Sequence, residues 1–273
     1  MNGKRSWPLQ LLMWLVTALF AVPVLWLLVL AIRPSAITVE SPLDFSFVPD
    51  FGAFGYVFGP GGPGMAGLVS SLIQSLGATA VALPLATLAC YGLTRFAYRG
   101  RQLIGAWYLG LMLAPPVVFV IPLFIVLARI GVIGTDLSVV IAFQTFALPL
   151  AVLLLRSFFE EIPVELEEAA MMDGCSRPRT LWNVLLPVVR PGLLVSAIFV
   201  FCFCWNNLLF AMPLTGGETV PLTVRALSFF ATSGVSWSYI GATAVVSMLV
   251  PMLLFFTFRK HIVSGLTFGA VKG

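Results

Sequence analysis

Six uninterrupted apolar runs leave this chain little choice of fold. They cover residues 9–32, 66–93, 103–127, 137–158, 193–213 and 239–258. A helix needs roughly 20 apolar residues to cross the hydrocarbon core of a bilayer. Barrel strands would alternate apolar and polar positions, and these runs do not. Only 10% of the 273 residues are charged, against about 25% in a typical soluble domain. The expected fold is therefore one all-α integral membrane domain of six spans, with no room for a soluble domain. Pro23, Pro84, Pro115, Pro116 and Pro149 fall inside the runs. Such prolines are tolerated where neighbouring helices satisfy the backbone groups they free. The first run follows Lys4 and Arg5 as a signal peptide would. Its length of about 24 residues exceeds the apolar stretch of a signal peptide, so it is expected to be retained as a span.

Basic residues orient the chain, because Lys and Arg accumulate on the cytoplasmic side. Six spans place both termini on one side, and that side carries Lys4, Arg5, Arg95, Arg99, Arg101, Arg156, Arg177, Arg179, Arg190, Arg259, Lys260 and Lys272. The other carries Arg33, Arg129 and Arg225. Both termini are thus expected in the cytoplasm. The net charge of +4 reflects this topology and is no sign of nucleic-acid binding. Cys90, Cys175, Cys202 and Cys204 fall in spans or on the cytoplasmic side, with no zinc-site spacing. They read as small apolar packing residues. Two loops face outward, 33–65 and 215–238. They are either partner contacts or lids, or plain connectors.

The spans hold no Asp, Glu, Lys or His, and their one Arg, Arg156, stands at a cytoplasmic end. Ionisable groups at mid-membrane usually mark proton or ion relays. Their absence argues against proton-coupled transport, although sodium can bind carbonyls and hydroxyls. Enzymatic readings fare worse. His261 is the single histidine, and the chain has neither GxSxG nor a GxxxxGK[ST] phosphate loop. No cofactor or metal is expected in this chain. If it moves a solute uphill, the energy enters from another polypeptide.

The polar exception is the cytoplasmic loop 159–192, which contains EEAAMMDGCSRPRTLWNVLLPVVRP. It reads as two short helices. Pro163 suits a first helical position, with Val164–Asp173 following. Gly174 suits the left-handed residue that closes a helix. Ser176 suits an N-cap for a second helix that ends before Pro187. Glu165, Glu168 and Met172 share one side of the first helix, while Leu166, Ala169 and Ala170 share another. This is not the single apolar stripe of a helix lying on a membrane. Spacing alone leaves a docking element and a passive loop helix both open.

The run Glu168-Ala169-Ala170-x-x-Asp173-Gly174 followed by Leu186-Pro187 resembles the EAA loop of the permease subunits of binding-protein-dependent ABC importers. Arg156-Ser157-Phe158-Phe159 and Ile162-Pro163-x-Glu165-Leu166 match as well. So do Arg95-Phe96-x-x-Arg99-Gly100-Arg101 and Ile121-Pro122-Leu123-Phe124 with Gly131. The tail from Val263 to Gly273 is similar to the end of the second, shorter permease of maltose-type carbohydrate importers. Two departures are Ser70-Ser71-Leu72, where the family often has Asn-Ser-Leu, and Trp205-Asn206-Asn207, where it often has an acid third.

The resemblance implies a six-helix type I importer domain in a bacterial or archaeal inner membrane, with an EAA coupling loop. It implies a second, different permease subunit, two copies of an ATPase subunit that bind ATP and Mg, and an extracytoplasmic solute-binding protein. Glu165, Glu168, Ala169, Ala170, Asp173, Gly174, Leu186 and Pro187 would form the ATPase-coupling site. The tail 259–273 would touch the ATPase through Gly265, Leu266, Thr267 and Lys272, or be a frayed end. Trp205, Asn206 and Asn207 would face the pathway of a sugar or polyol, unless both amides only hold helices together. Alternatives are another solute, such as glycerol phosphate or an amino sugar, and an ATP-independent channel or scaffold.

Overall fold

The computed structural model describes residues 7–35, 38, 44–231 and 234–268. The chain divides into two compact units, Met1–Ala66 with Val224–Val250 and Gly67–Thr223 with Pro251–Gly273. Helices account for most of both. Their order is α1 (Trp7–Ile32), α2 (Gly52–Phe58), α3 (Pro63–Arg95), α4 (Arg101–Leu113), α5 (Val117–Arg129), α6 (Asp136–Glu160), α7 (Val164–Met172), α8 (Arg177–Trp205), α9 (Ala211–Leu214), α10 (Leu222–Arg225) and α11 (Trp237–Phe268). A two-residue antiparallel pairing, Phe230–Ala231 with Gly234–Val235, precedes α11. Among the described residues, α1, α3, α6, α8 and α11 are each long and apolar enough to cross a membrane, and α4 with α5 forms a sixth, broken candidate.

In the first unit α1 exposes apolar side chains along most of its length and buries only Leu30 and Ala31. Ala31, Ala53, Ala242 and Val245 form a small core. A Cβ at Gly241 would lie 2.6 Å from the Ala31 backbone nitrogen. The missing side chain is what lets two helix backbones meet there, as small residues do in membrane bundles. Ser35 and Ser238 hydroxyls lie 2.9 Å apart, and Tyr56 stacks on Tyr239 at 4.5 Å.

The second unit is built around α6, which packs on both α8 and α4. Its buried residues include Val139, Ala142, Phe143, Phe146, Ala147, Ala151, Val152, Leu155 and Phe159. Their three- and four-residue spacing makes one broad apolar face. The Thr135 hydroxyl caps α6 by accepting from the Ser138 N–H at 3.3 Å. Backbone groups tie α6 to α3: Gln144 Nε2 donates to the Ala78 carbonyl at 3.1 Å, and Cys90 Sγ to that of Val152 at 3.4 Å. Midway along α8 a Cβ on Gly192 would sit 2.4 Å from the Phe158 ring, so glycine sets the approach of α8 to α6.

Four features differ from the sequence reading. The expected third span, 103–127, is two helices bent by 101°. Ala114 is extended (φ −71°, ψ 137°), as the residue before a proline prefers, so Pro115 and Pro116 break the helix. The second helix of the loop does not end before Pro187. It runs on as α8 to Trp205, through a π turn at Leu181–Leu185 in which the Leu186 N–H reaches the Leu181 carbonyl. The widened turn relieves the clash a proline ring makes with the preceding turn. The expected fifth span, 193–213, stops at Trp205, and α9 follows after a turn. Finally, α11 continues past residue 258 to Phe268, so the expected tail 259–273 begins as helix.

Candidate functional site

The charged loop between α6 and α8 is held by side chains at the end of α3. Glu167 is buried, with its Oε1 accepting a hydrogen bond from the Tyr91 hydroxyl at 2.6 Å. Its Oε2 lies 3.1 Å from Arg95 Nε, with both side chains at most 5% exposed. That approach is off hydrogen-bond alignment, so charge rather than a directed bond joins the two. Arg95 Nη2 donates instead to the Ile162 carbonyl at 2.9 Å. Beyond Gly174, the Arg177 guanidinium sits over the Phe96 ring at 4.8 Å, and Phe96 meets Tyr91 edge-on at 5.5 Å. Both halves of the loop are therefore fastened to the same turn of α3 and the residue after it.

The turn between the halves follows from one glycine. Gly174 has φ +86°, a conformation other residues adopt at a cost of about 1–2 kcal/mol. Its N–H reaches the Met171 carbonyl and the Cys175 N–H that of Ala170, both at 3.0 Å. This pair of bonds is the Schellman closure of a helix end. Asp173 sits at the C-cap and is exposed. Ser176 is the N-cap of the next helix but makes no side-chain capping bond.

Of the remaining predicted coupling residues, Glu165, Glu168, Ala169 and Pro187 are exposed, Leu186 is half-buried and Ala170 is buried. Met172, with Glu165 and Glu168 on the outward side, is 86% exposed. The acidic face thus points away from this chain's own helices. Beside it Phe158, Ile162, Pro163, Leu166, Val188 and Pro191 line a cavity of about 200 Å³.

Sequence reasoning missed Glu167, Tyr91 and Arg177 and passed over Arg95 and Phe96 as a basic turn. One signal was present, for Glu167 lies three residues before Ala170 and shares its face. A carboxylate on a packing face needs a partner. The partner, 72 positions earlier in the chain, is not visible in local spacing.

The predicted pathway residues stand at a helix end. Trp205 is buried and stacked on Phe201 at 5.5 Å. Asn206 is exposed, its Nδ2 donating to the Cys202 carbonyl at 2.8 Å. Asn207 Oδ1 accepts the Phe210 N–H at 3.2 Å and shapes the turn into α9. Gly265, Leu266 and Thr267 lie in α11, whereas Lys272 lies outside the described residues. Among the described residues no three His, Cys, Asp or Glu side chains form a metal-binding group.

Residues 82–267 match the family model of the binding-protein-dependent transport system inner membrane component. The trehalose transport system permease protein SugB of Mycobacterium tuberculosis is 33% identical over 276 residues, covering 100% of both chains. The trehalose/maltose transport system permease protein MalG of Thermococcus litoralis is 34% identical over 209 residues, 76% of this chain and 75% of that one. A chain from the crystal structure of a bacterial ABC transporter involved in the import of the acidic polysaccharide alginate superposes with a TM-score of 0.74 at 21% identity. It covers 95% of this chain and 98% of that one. The matched region contains α6, the whole Glu167 loop and α8, and on these grounds the chain belongs to the inner membrane components of binding-protein-dependent transport systems.

Proposed function

We propose that this chain is the second permease subunit of an ABC importer for a sugar or polyol. It lines half of the translocation pathway and receives the work of ATP hydrolysis through the loop around Gly174. The observation that carries this reading is the outward acidic face of α7, with Glu165 and Glu168 exposed on a loop anchored to the bundle behind it. A face of that kind suits a basic cleft on a soluble partner. The partners are a different permease subunit, two ATPase subunits and an extracytoplasmic binding protein. ATP and Mg belong to the ATPases, and this chain performs no chemistry. Relatives named for trehalose and maltose support a carbohydrate as solute. The basic residues of residues 95–101 and 156–190 support a cytoplasmic loop and cytoplasmic termini. Asn206 is the amide offered to solute, while Asn207 serves the fold.

The test uses the complete complex in vesicles, with radiolabelled trehalose and maltose as probes. Glu168→Ala and Gly174→Leu should leave the permease pair assembled and lower ATPase co-purification and uptake together. Truncating one partner of a half-desolvated interface pair costs about 2–5 kcal/mol. Parental uptake in both variants would refute the coupling role.

A further inference from the structure

We infer that Glu167 is a positioning residue that makes α3 a third arm of the coupling segment. The inference rests on the importer reading. A force applied to α7 reaches α6 and α8 along the chain itself, because both are joined to the loop by short connections. Helix α3 has no such connection. It receives the motion through Tyr91 and Arg95 on Glu167, Arg95 on the Ile162 carbonyl, and Phe96 under Arg177.

These contacts are chemically selective. A buried ion pair is a poor source of stability, since well-packed apolar residues often do as well. Geometry is supplied by the two directed bonds beside it, Tyr91 to the carboxylate and Arg95 to the Ile162 carbonyl, while the charge pair holds the same two side chains together. The loop can therefore sit against α3 in one register. Glu168, next in sequence, points outward. Two adjacent carboxylates thus divide the work, one facing the partner and one holding α3.

The far end of α3 is tied as well. Gln74 Nε2 donates to Asp136 Oδ1 and to the Thr219 carbonyl, each at 2.8 Å. The Ser70 hydroxyl donates to the Glu218 carbonyl at 3.0 Å, and Ser71 Oγ accepts the Leu222 N–H at 2.9 Å. Gln74 and Tyr91 stand roughly 25 Å apart along an unbroken helix. A displacement entering at Glu167 therefore emerges at residues 218–222, toward the opposite end of α3.

Pulsed EPR tests this in the complete complex, with the native cysteines replaced and spin labels at Leu166, which is off the acidic face, and Val69, both exposed. In the unsubstituted complex the distance between the labels should stay constant between the nucleotide-free and the ATP–vanadate states. In Tyr91→Phe and Glu167→Gln it should shift or broaden on nucleotide binding. Solute imported per ATP hydrolysed should fall about 5-fold or more, the lower edge of ordinary coupling factors. The double variant should lose no more than the worse single one. A label distance that behaves alike in parent and variants overturns the proposal, and so does a distance that already changes in the parent. Should Glu167→Gln fail to assemble, Tyr91→Phe decides by the same criteria, since its ring remains on Phe96. A parent complex that binds no ATPase refutes the importer reading itself, a different result from either of these.

Discussion

The two ends of α3 are stitched by different chemistry. At Tyr91 and Arg95 the shared partner is a buried carboxylate on one particular side chain, with the Ile162 carbonyl as the one backbone acceptor beside it. At Ser70, Ser71 and Gln74 the partners are mostly backbone groups of residues 218–222, with Asp136 the one side chain. A backbone partner is present whatever residue occupies the position, so the segment after the fifth span can vary in sequence and still be held. The Glu167 contact offers no such freedom. One end of the helix fixes identity, and the other fixes only conformation.

Substitutions break this contrast with graded force. Glu167→Ala leaves the Arg95 guanidinium buried without its counter-charge, and loss of one partner of a buried pair costs about 3–5 kcal/mol. A marked fall in the melting temperature of the purified complex is expected, with protease sensitivity between α6 and α8. An unchanged melting curve would mean that Arg95 reaches water when its partner is removed. Gln74→Leu keeps the volume and removes a donor to a carboxylate, for about 1.5–3 kcal/mol. Its local signature should be faster amide exchange at 217–222 with the Glu167 loop undisturbed, and exchange rising equally at both ends would erase the distinction. Ser70→Ala removes one neutral hydrogen bond and should cost about 0.5–1.5 kcal/mol. A larger loss there would show that the neutral end holds as tightly as the charged one.

Long apolar runs made the membrane class and most helix positions legible in the sequence, because lipid demands length and hydrophobicity together. The turn at Gly174 was legible for a similar reason, since a glycine between helix formers answers to local backbone chemistry. Prolines were the hard case. Pro84 and Pro149 pass within helices, Pro115 and Pro116 break one, and Pro187 is absorbed by a π turn. The residue alone does not say which outcome follows, because neighbouring packing selects it. Asn206 and Asn207 were read as polar positions inside a span, yet they terminate it and bond to its last turn and the next one. Glu167 was hidden because its reason lies on another helix.

The π turn at Leu181–Leu185 carries a consequence for how such chains tolerate change in length. A π turn amounts to one residue inserted into an α-helix. Each residue advances a helix by about 100°. Deleting one residue there would restore a regular helix and leave everything after it in its present phase, because the widened turn already absorbs the extra residue. Val189, Gly192, Val195 and Ser196 would therefore stay buried. A single-codon deletion within Leu181–Leu185 would thus be absorbed, whereas one in the regular helix after Pro187 would turn every later position of α8 by that angle and act as a phase error.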